Sequence, residues 1–469
     1  MVVSVYRAIK FFLIILMVIA IFHSFELFIT YLIFFTITLI GDILISIKRV
    51  INVFVYQFFV LSLLIVFYLR PLLLIQNPEF FQYSRAWGFI NEVDIITALW
   101  KVNLFSAILL IGFAILSPRS QLTGNLPYNQ FVIDNVKKLN SSVLKRIDYV
   151  INLLIVLASL RFLINVTLGI GIKGQLITSS AAFLVRFAPE EFIVSVGLMI
   201  LFFYRSTMSK VQLTKLISAL GLLLLSFLAT GSKAVFLLLI MFFIFISMYY
   251  QIRVKVAKLL SYVIISLILI PVSFLLGNAV KFASYNNKTD VNSVLEVFYS
   301  LLDNVSFSAI ANTITGRFVG FDGVLVLGKM NQEILYESYN IINTLIRSIG
   351  MLIPFVSSDL QTTGDVVSTV VAGLPEDAVH AGAIGGLSAL DLIFPGFSLL
   401  SYLIFVIINL IIVRLHFSIK DPFTMCNFLF FYVYFVLLAL MSGNFDYCIA
   451  IYIIKIVLYK IYFYPVFKK

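Results

Sequence analysis

The chain has 469 residues, of which 62% are hydrophobic and 12% charged, with a net charge of +11 and a mean hydropathy of +1.09. A soluble domain carries roughly 25% charged residues, so this composition excludes a water-soluble globular protein. The excess of Lys and Arg then reads as anchoring at a membrane surface and not as a nucleic-acid footprint. Cys426 and Cys448 fall near opposite ends of successive apolar runs, which argues against a disulfide.

A basic start (Arg7, Lys10) leads into an apolar stretch with no small-x-small cleavage site, and Glu26 passes directly into a second apolar run. This reads as a retained first helix, not a cleaved signal peptide. Runs long enough to cross about 30 Å of hydrocarbon, roughly 20 residues each, recur along the chain. They lie at 8–24, 26–47, 51–75, 98–117, 147–170, 183–204, 213–230, 233–250, 257–276, 394–413, 423–442 and 445–464. The expected fold is an all-α polytopic membrane protein of about 12 transmembrane helices, with no soluble domain at either end. Residues 1–276 form a bundle of about nine helices, 277–393 one large outer loop, and 394–469 three C-terminal helices.

With the N-terminus inside, every inward connection is basic: Lys48 and Arg49; Arg119, Lys137, Lys138, Lys145 and Arg146; Arg205, Lys210 and Lys215; Arg253, Lys255 and Lys258; Arg414 and Lys420; Lys460, Lys468 and Lys469. Both termini are expected in the cytoplasm and the long loop outside. Within that loop, Val291 to Val305 and Ile334 to Ile349 carry apolar residues at helical spacing, which predicts two amphipathic helices at the outer interface. Pro354, Gly364, Gly373 and Pro375 break the next stretch, and Gly382, Gly385 and Gly386 allow close backbone approach before the following span.

A second set of basic residues is not explained by inward anchoring: Arg70, Arg85, Arg161, Lys173, Arg186, Lys233, Lys281, Arg317 and Arg347. They fall at outer span ends or in outer loops. Arg161 lies inside a span, where an arginine costs about 2.5 to 3.5 kcal/mol on insertion scales. A cationic cavity open to the outer face would account for the set, since a guanidinium bonds two phosphate oxygens at once. Snorkelling or pairing with nearby carboxylates is the plainer account of any single member. His380 is the one histidine of three that falls in the long outer loop. It could take a proton from a hydroxyl, and Glu376 and Asp377 could do the same or orient it. No His or Cys pair has ligand spacing, and no phosphate-binding Gly-Lys-Ser/Thr loop or nucleophile elbow is present, so no metal, no cofactor and no ATP-driven chemistry is expected.

Leu228 to Ala234 reads Leu-Ala-Thr-Gly-Ser-Lys-Ala, and Arg317 is followed after ten residues by Gly328. The first resembles the Thr-Gly-Ser-Lys/Arg stretch of the bacterial O-antigen and capsule repeat-unit polymerases, the Wzy class, and of the related O-antigen ligases. The second is similar to the arginine-glycine pattern of the polymerases' large periplasmic loop. The matching pattern of an earlier outer loop is absent; Arg161, with Gly169 and Gly171 after it, or Arg186 stands nearest. The resemblance implies a GT-C-like membrane glycosyltransferase at the outer face of the bacterial inner membrane, polymerising polyprenyl-pyrophosphate-linked oligosaccharides. It implies that Arg317 and Arg161, with Arg186, Lys233, Lys173 and Arg347, contact the pyrophosphate or glycan. His380, Glu376 or Asp377 would be the base, and Tyr299, Tyr336 and Tyr339 would lie against sugar rings. It also implies membrane lipids and a separate chain-length regulator as partners. A ligase acting on a lipid acceptor, and a flippase for lipid-linked sugars, remain the competing readings.

Overall fold

The computed structural model describes residues 2–48, 53–117, 141–167, 189–229, 234–249, 253–255, 272, 275–280, 282–283, 291–303, 320–329, 335–336, 339–352, 367–371, 384–394, 396–419 and 422–463. Over these the chain is helical apart from one small ribbon. In chain order the helices are α1 (Val5–Ile21), α2 (Phe25–Lys48), α3 (Val53–Gln76), α4 (Glu92–Leu116), α5 (Ser141–Thr167), α6 (Glu190–Tyr204), α7 (Lys210–Ala229) and α8 (Ala234–Tyr249). They continue with α9 (Val291–Asp303), α10 (Gly320–Leu327), α11 (Ile341–Leu352), α12 (Gly386–Ile393), α13 (Ser398–Phe417), α14 (Pro422–Ser442) and α15 (Phe445–Tyr462). Six described stretches are long and apolar enough to cross a membrane: α2, α3, α4, Ile147–Asn165 of α5, α13, and Phe423–Ser442 of α14. The expected spans at 8–24, 183–204, 213–230, 233–250 and 445–464 overlap α1, α6, α7, α8 and α15, which are not among these six, while 257–276 lies largely outside the described residues.

The ribbon departs from an all-helical expectation. β1 (Val2–Ser4) pairs antiparallel with β2 (Arg253–Lys255), Val3 facing Val254. It joins the chain start to the segment after α8, and so requires an even number of crossings between them. The helices obey this. Lys48 at the end of α2 bonds the Ile115 carbonyl at the end of α4. Lys215 at the start of α7 lies 3.9 Å from Asp148 near the start of α5. Ser226 near the end of α7 bonds Asn165 near the end of α5. One end of the bundle therefore carries the ribbon. The opposite end carries the connection between α3 and α4, the ends of α5 and α7, and the start of α6; it is called the loop end below.

Local sequence sets the helix limits. Asn91 and Asp94 form a capping box at the start of α4, each side chain accepting from the other's backbone N–H at 2.8 and 3.2 Å. α3 widens to a π-helix over Leu64–Tyr68, just before Pro71, whose ring nitrogen cannot donate. There the Tyr68 carbonyl accepts from the Tyr31 hydroxyl at 2.6 Å, and the Tyr68 hydroxyl donates to Asn103 Oδ1 at 2.6 Å, locking α2, α3 and α4 together. Both amphipathic patterns of the long loop become helices, α9 and α11; α11 turns Ile342, Leu345, Ile346 and Ile349 outward and buries Thr344, Arg347 and Ser348.

Two further helices of the loop do not lie on the surface of the bundle. All eight residues of α10, and Gly386 to Leu392 of α12, are buried against the π-helical stretch of α3, α4, α13 and α14. Glycine makes this packing possible. A Cβ on Gly323 would fall 1.5 Å from the Ile384 carbonyl oxygen; one on Gly385, whose φ is +76°, would fall 2.3 Å from Gly320 Cα. Backbone cannot retreat as a side-chain tip can. Gly323→Ala is expected to lower stability by about 1 to 3 kcal/mol, the usual cost of overpacking, or to prevent folding. Gly221→Ala on α7, where nothing lies within 4 Å, is expected to be neutral or slightly stabilising. Thermal unfolding of the detergent-solubilised proteins checks the contrast.

Candidate functional site

Buried charge gathers at the loop end. Arg70, where α3 returns from its π-helical stretch, is 1% exposed and meets Asp322 of α10, which is 0% exposed. The pair is bidentate: Nε to Oδ1 and Nη2 to Oδ2, each 3.0 Å. Arg70 Nη2 also donates to the Phe80 carbonyl at 2.6 Å, and the Gln82 backbone N–H donates to Asp322 Oδ2 at 3.1 Å. Beside this pair, burial raises the pKa of the Tyr83 hydroxyl, and the Asp322 charge raises it further. The connection between α3 and α4, and the first turn of α4, hold the loop at two more points. Trp87 Nε1 donates to the Val371 carbonyl at 2.7 Å, and Lys329 sits 2.9 Å from Asp94.

Three more charged groups occupy the same end. Asp391 of α12 accepts from the Tyr402 hydroxyl and pairs with Lys101 of α4, both at 2.5 Å. Arg161 of α5 donates through Nε to Glu190 at 2.7 Å, where Asn165 and Ser226 also donate. Arg347 of α11 is buried beside Asp446 and Tyr339; burial lowers its pKa from the ordinary guanidinium value while Asp446 opposes the shift. At the ribbon end the pairs Lys10–Asp42 and Lys215–Asp148 are partly exposed. His416 is the exception there, buried with Nε2 2.7 Å from the Tyr452 hydroxyl.

Of the candidate residues, Arg161, Arg347, Tyr299, Tyr336 and Tyr339 are described. Arg317, His380, Glu376, Asp377, Arg186, Lys233 and Lys173 lie outside the described residues. The structure brings Arg347 and Tyr339 together at α11 and sets Arg161 in a separate corner formed by the ends of α5, α6 and α7. Arg70 and Arg161, two of the cations not explained by anchoring, are matched to carboxylates. Sequence reasoning missed those carboxylates. Glu190 falls inside the expected span at 183–204, and Asp322 and Asp391 stand alone among apolar residues, which was the available signal: a charged group in an apolar stretch has a partner or a function. Among the described residues no three His, Cys, Asp or Glu side chains gather as a metal site requires. Compared with protein-family models, curated proteins and solved structures, the chain matches none.

The Arg70 guanidinium and the Asp322 carboxylate are satisfied by each other and by backbone groups, an arrangement that ties α10 to α3. Removing one partner leaves a buried charge. Arg70→Ala or Asp322→Ala is expected to destabilise by about 3 to 5 kcal/mol, and Arg70→Met with Asp322→Leu to recover most of that. Thermal unfolding and the folded fraction after extraction measure the difference.

Proposed function

We propose that the chain is a membrane glycosyltransferase that polymerises polyprenyl-pyrophosphate-linked oligosaccharide repeat units. On this reading it has about 12 spans in a GT-C-like arrangement in the bacterial inner membrane. The ribbon end and both termini are cytoplasmic, and the loop end faces outward. The observation that carries the proposal is the contact between Gly320 and Gly385 at the loop end. Arg317 precedes the first of these by three residues and His380 precedes the second by five. The candidate cation and base thus stand three and five positions along the chain from two residues that touch, and that proximity in sequence supports a shared site for both.

In the proposed reaction the acceptor sugar hydroxyl attacks the anomeric carbon of the donor, and the carbon–oxygen bond to pyrophosphate breaks. Pyrophosphate leaves with the electron pair and stays on its lipid. Arg317, Arg186, Lys233 and Lys173 stabilise that growing negative charge, and His380, Glu376 or Asp377 takes the hydroxyl proton. Arg161 is already neutralised by a carboxylate at 2.7 Å, which would compete with a pyrophosphate for it. The donor is preactivated, so no nucleotide is required. Membrane lipids surround the site, and a chain-length regulator acts as a separate partner.

Purified protein in nanodiscs, given synthetic polyprenyl-pyrophosphate oligosaccharide and no nucleotide, is expected to yield a ladder of whole repeat units. Arg317→Ala should abolish the ladder while the protein stays folded in the membrane. A ladder of unchanged length and yield from that variant would reject the assignment. Product formed only after adding a lipid acceptor would indicate a ligase.

A further inference from the structure

Arg161 and Asn165 lie one turn apart on α5, and both reach Glu190 at the start of α6, Nε at 2.7 Å and Nδ2 at 2.5 Å. A carboxylate oxygen only accepts, so Asn165 must offer it an N–H, which fixes the orientation of its amide. Two buried atoms of opposite polarity then have no partner: Arg161 Nη1, a donor, and Asn165 Oδ1, an acceptor. Their residues are 8% and 2% exposed, where an unmatched polar atom is costly. The corner sits where three helix ends meet. The half-exposed Tyr447 of α15 is within electrostatic reach of Arg161.

Ligand chemistry follows from that pairing. An ionised phosphoryl oxygen only accepts; it would satisfy Nη1, leave Asn165 Oδ1 unmatched and face the Glu190 carboxylate. A hydroxyl donates and accepts together, and so has the polarity that each of the two atoms lacks. We infer that this corner is a saccharide subsite, in which one sugar hydroxyl accepts from Arg161 Nη1 and donates to Asn165 Oδ1. Glu190 is the positioning residue that holds both side chains. This rests on the reading of the chain as acting on lipid-linked glycan, and it gives Arg161 to the glycan instead of the pyrophosphate.

The test uses the full chain in nanodiscs and two probes: sugar-free polyprenyl pyrophosphate, and the same lipid carrying hexose or N-acetylhexosamine oligosaccharides. Wild type should bind the glycan-bearing lipid more tightly. Asn165→Leu should weaken that binding about tenfold, the order of one lost hydrogen bond, and leave the sugar-free lipid unchanged. Arg161→Lys keeps the charge beside Glu190 but loses the fork, so it should show the same selective loss, and it serves if Asn165→Leu does not fold. Equal loss for both probes would make the corner a phosphate subsite and overturn the inference. No loss for either would mean that an ordered water alone fills it, and would overturn the inference as well. Failure of wild type to bind even the sugar-free lipid would instead overturn the glycosyltransferase reading, and this one with it.

Discussion

An ionised group inside an apolar bundle must be matched where it sits, and the Arg70–Asp322 pair shows what that requirement does to the fold. The two residues are 252 positions apart. Neither is tolerable alone in the interior, because the cost of removing each from water is offset only by the other's charge and a full set of hydrogen bonds. Placing Asp322 against Arg70 brings α10 into the bundle. α10 brings α12 with it, since the two share a backbone contact that only glycine permits. Three further ties, at Gln82 and Trp87 of the α3–α4 connection and at Asp94 in the first turn of α4, fasten the same region.

The result is a molecule with two unlike ends. At the ribbon end the ion pairs are partly exposed and weakly held, which suits a surface that touches headgroups and water. At the loop end arginines and carboxylates are enclosed, and their fields are little screened. A site that must stabilise a leaving pyrophosphate benefits from donors held still before the substrate arrives. Under the proposed function, the enclosed pairs would hold the neighbouring helix ends in place.

Much of this architecture was legible in the residues. Apolar run length marked the helices because a bilayer demands it. Within the amphipathic patterns at 291–305 and 334–349, Val291–Asp303 and Ile341–Leu352 form α9 and α11, whose apolar faces must meet hydrocarbon or protein. Arg161 drew attention because an arginine within a span is expensive. Its partner did not, because Glu190 lies 29 positions away and nothing along the chain links the two. Nor was the ribbon between β1 and β2 visible, since each strand has three residues and neither shows a pattern by itself.

The sequence by itself determined what depends on local composition: a membrane-embedded helical chain, a long interruption between residues 277 and 393, and cations beyond what anchoring needs. Helix formation and insertion are decided over some 20 neighbouring residues, so one dimension suffices to read them. Only the tertiary structure decided that α10 and α12 lie inside the bundle, which carboxylate neutralises which arginine, and that Arg161 and Asn165 share Glu190 with one donor and one acceptor to spare. Those outcomes depend on which distant segments touch, and contact between glycine backbones or between opposite charges leaves no periodic trace along the chain.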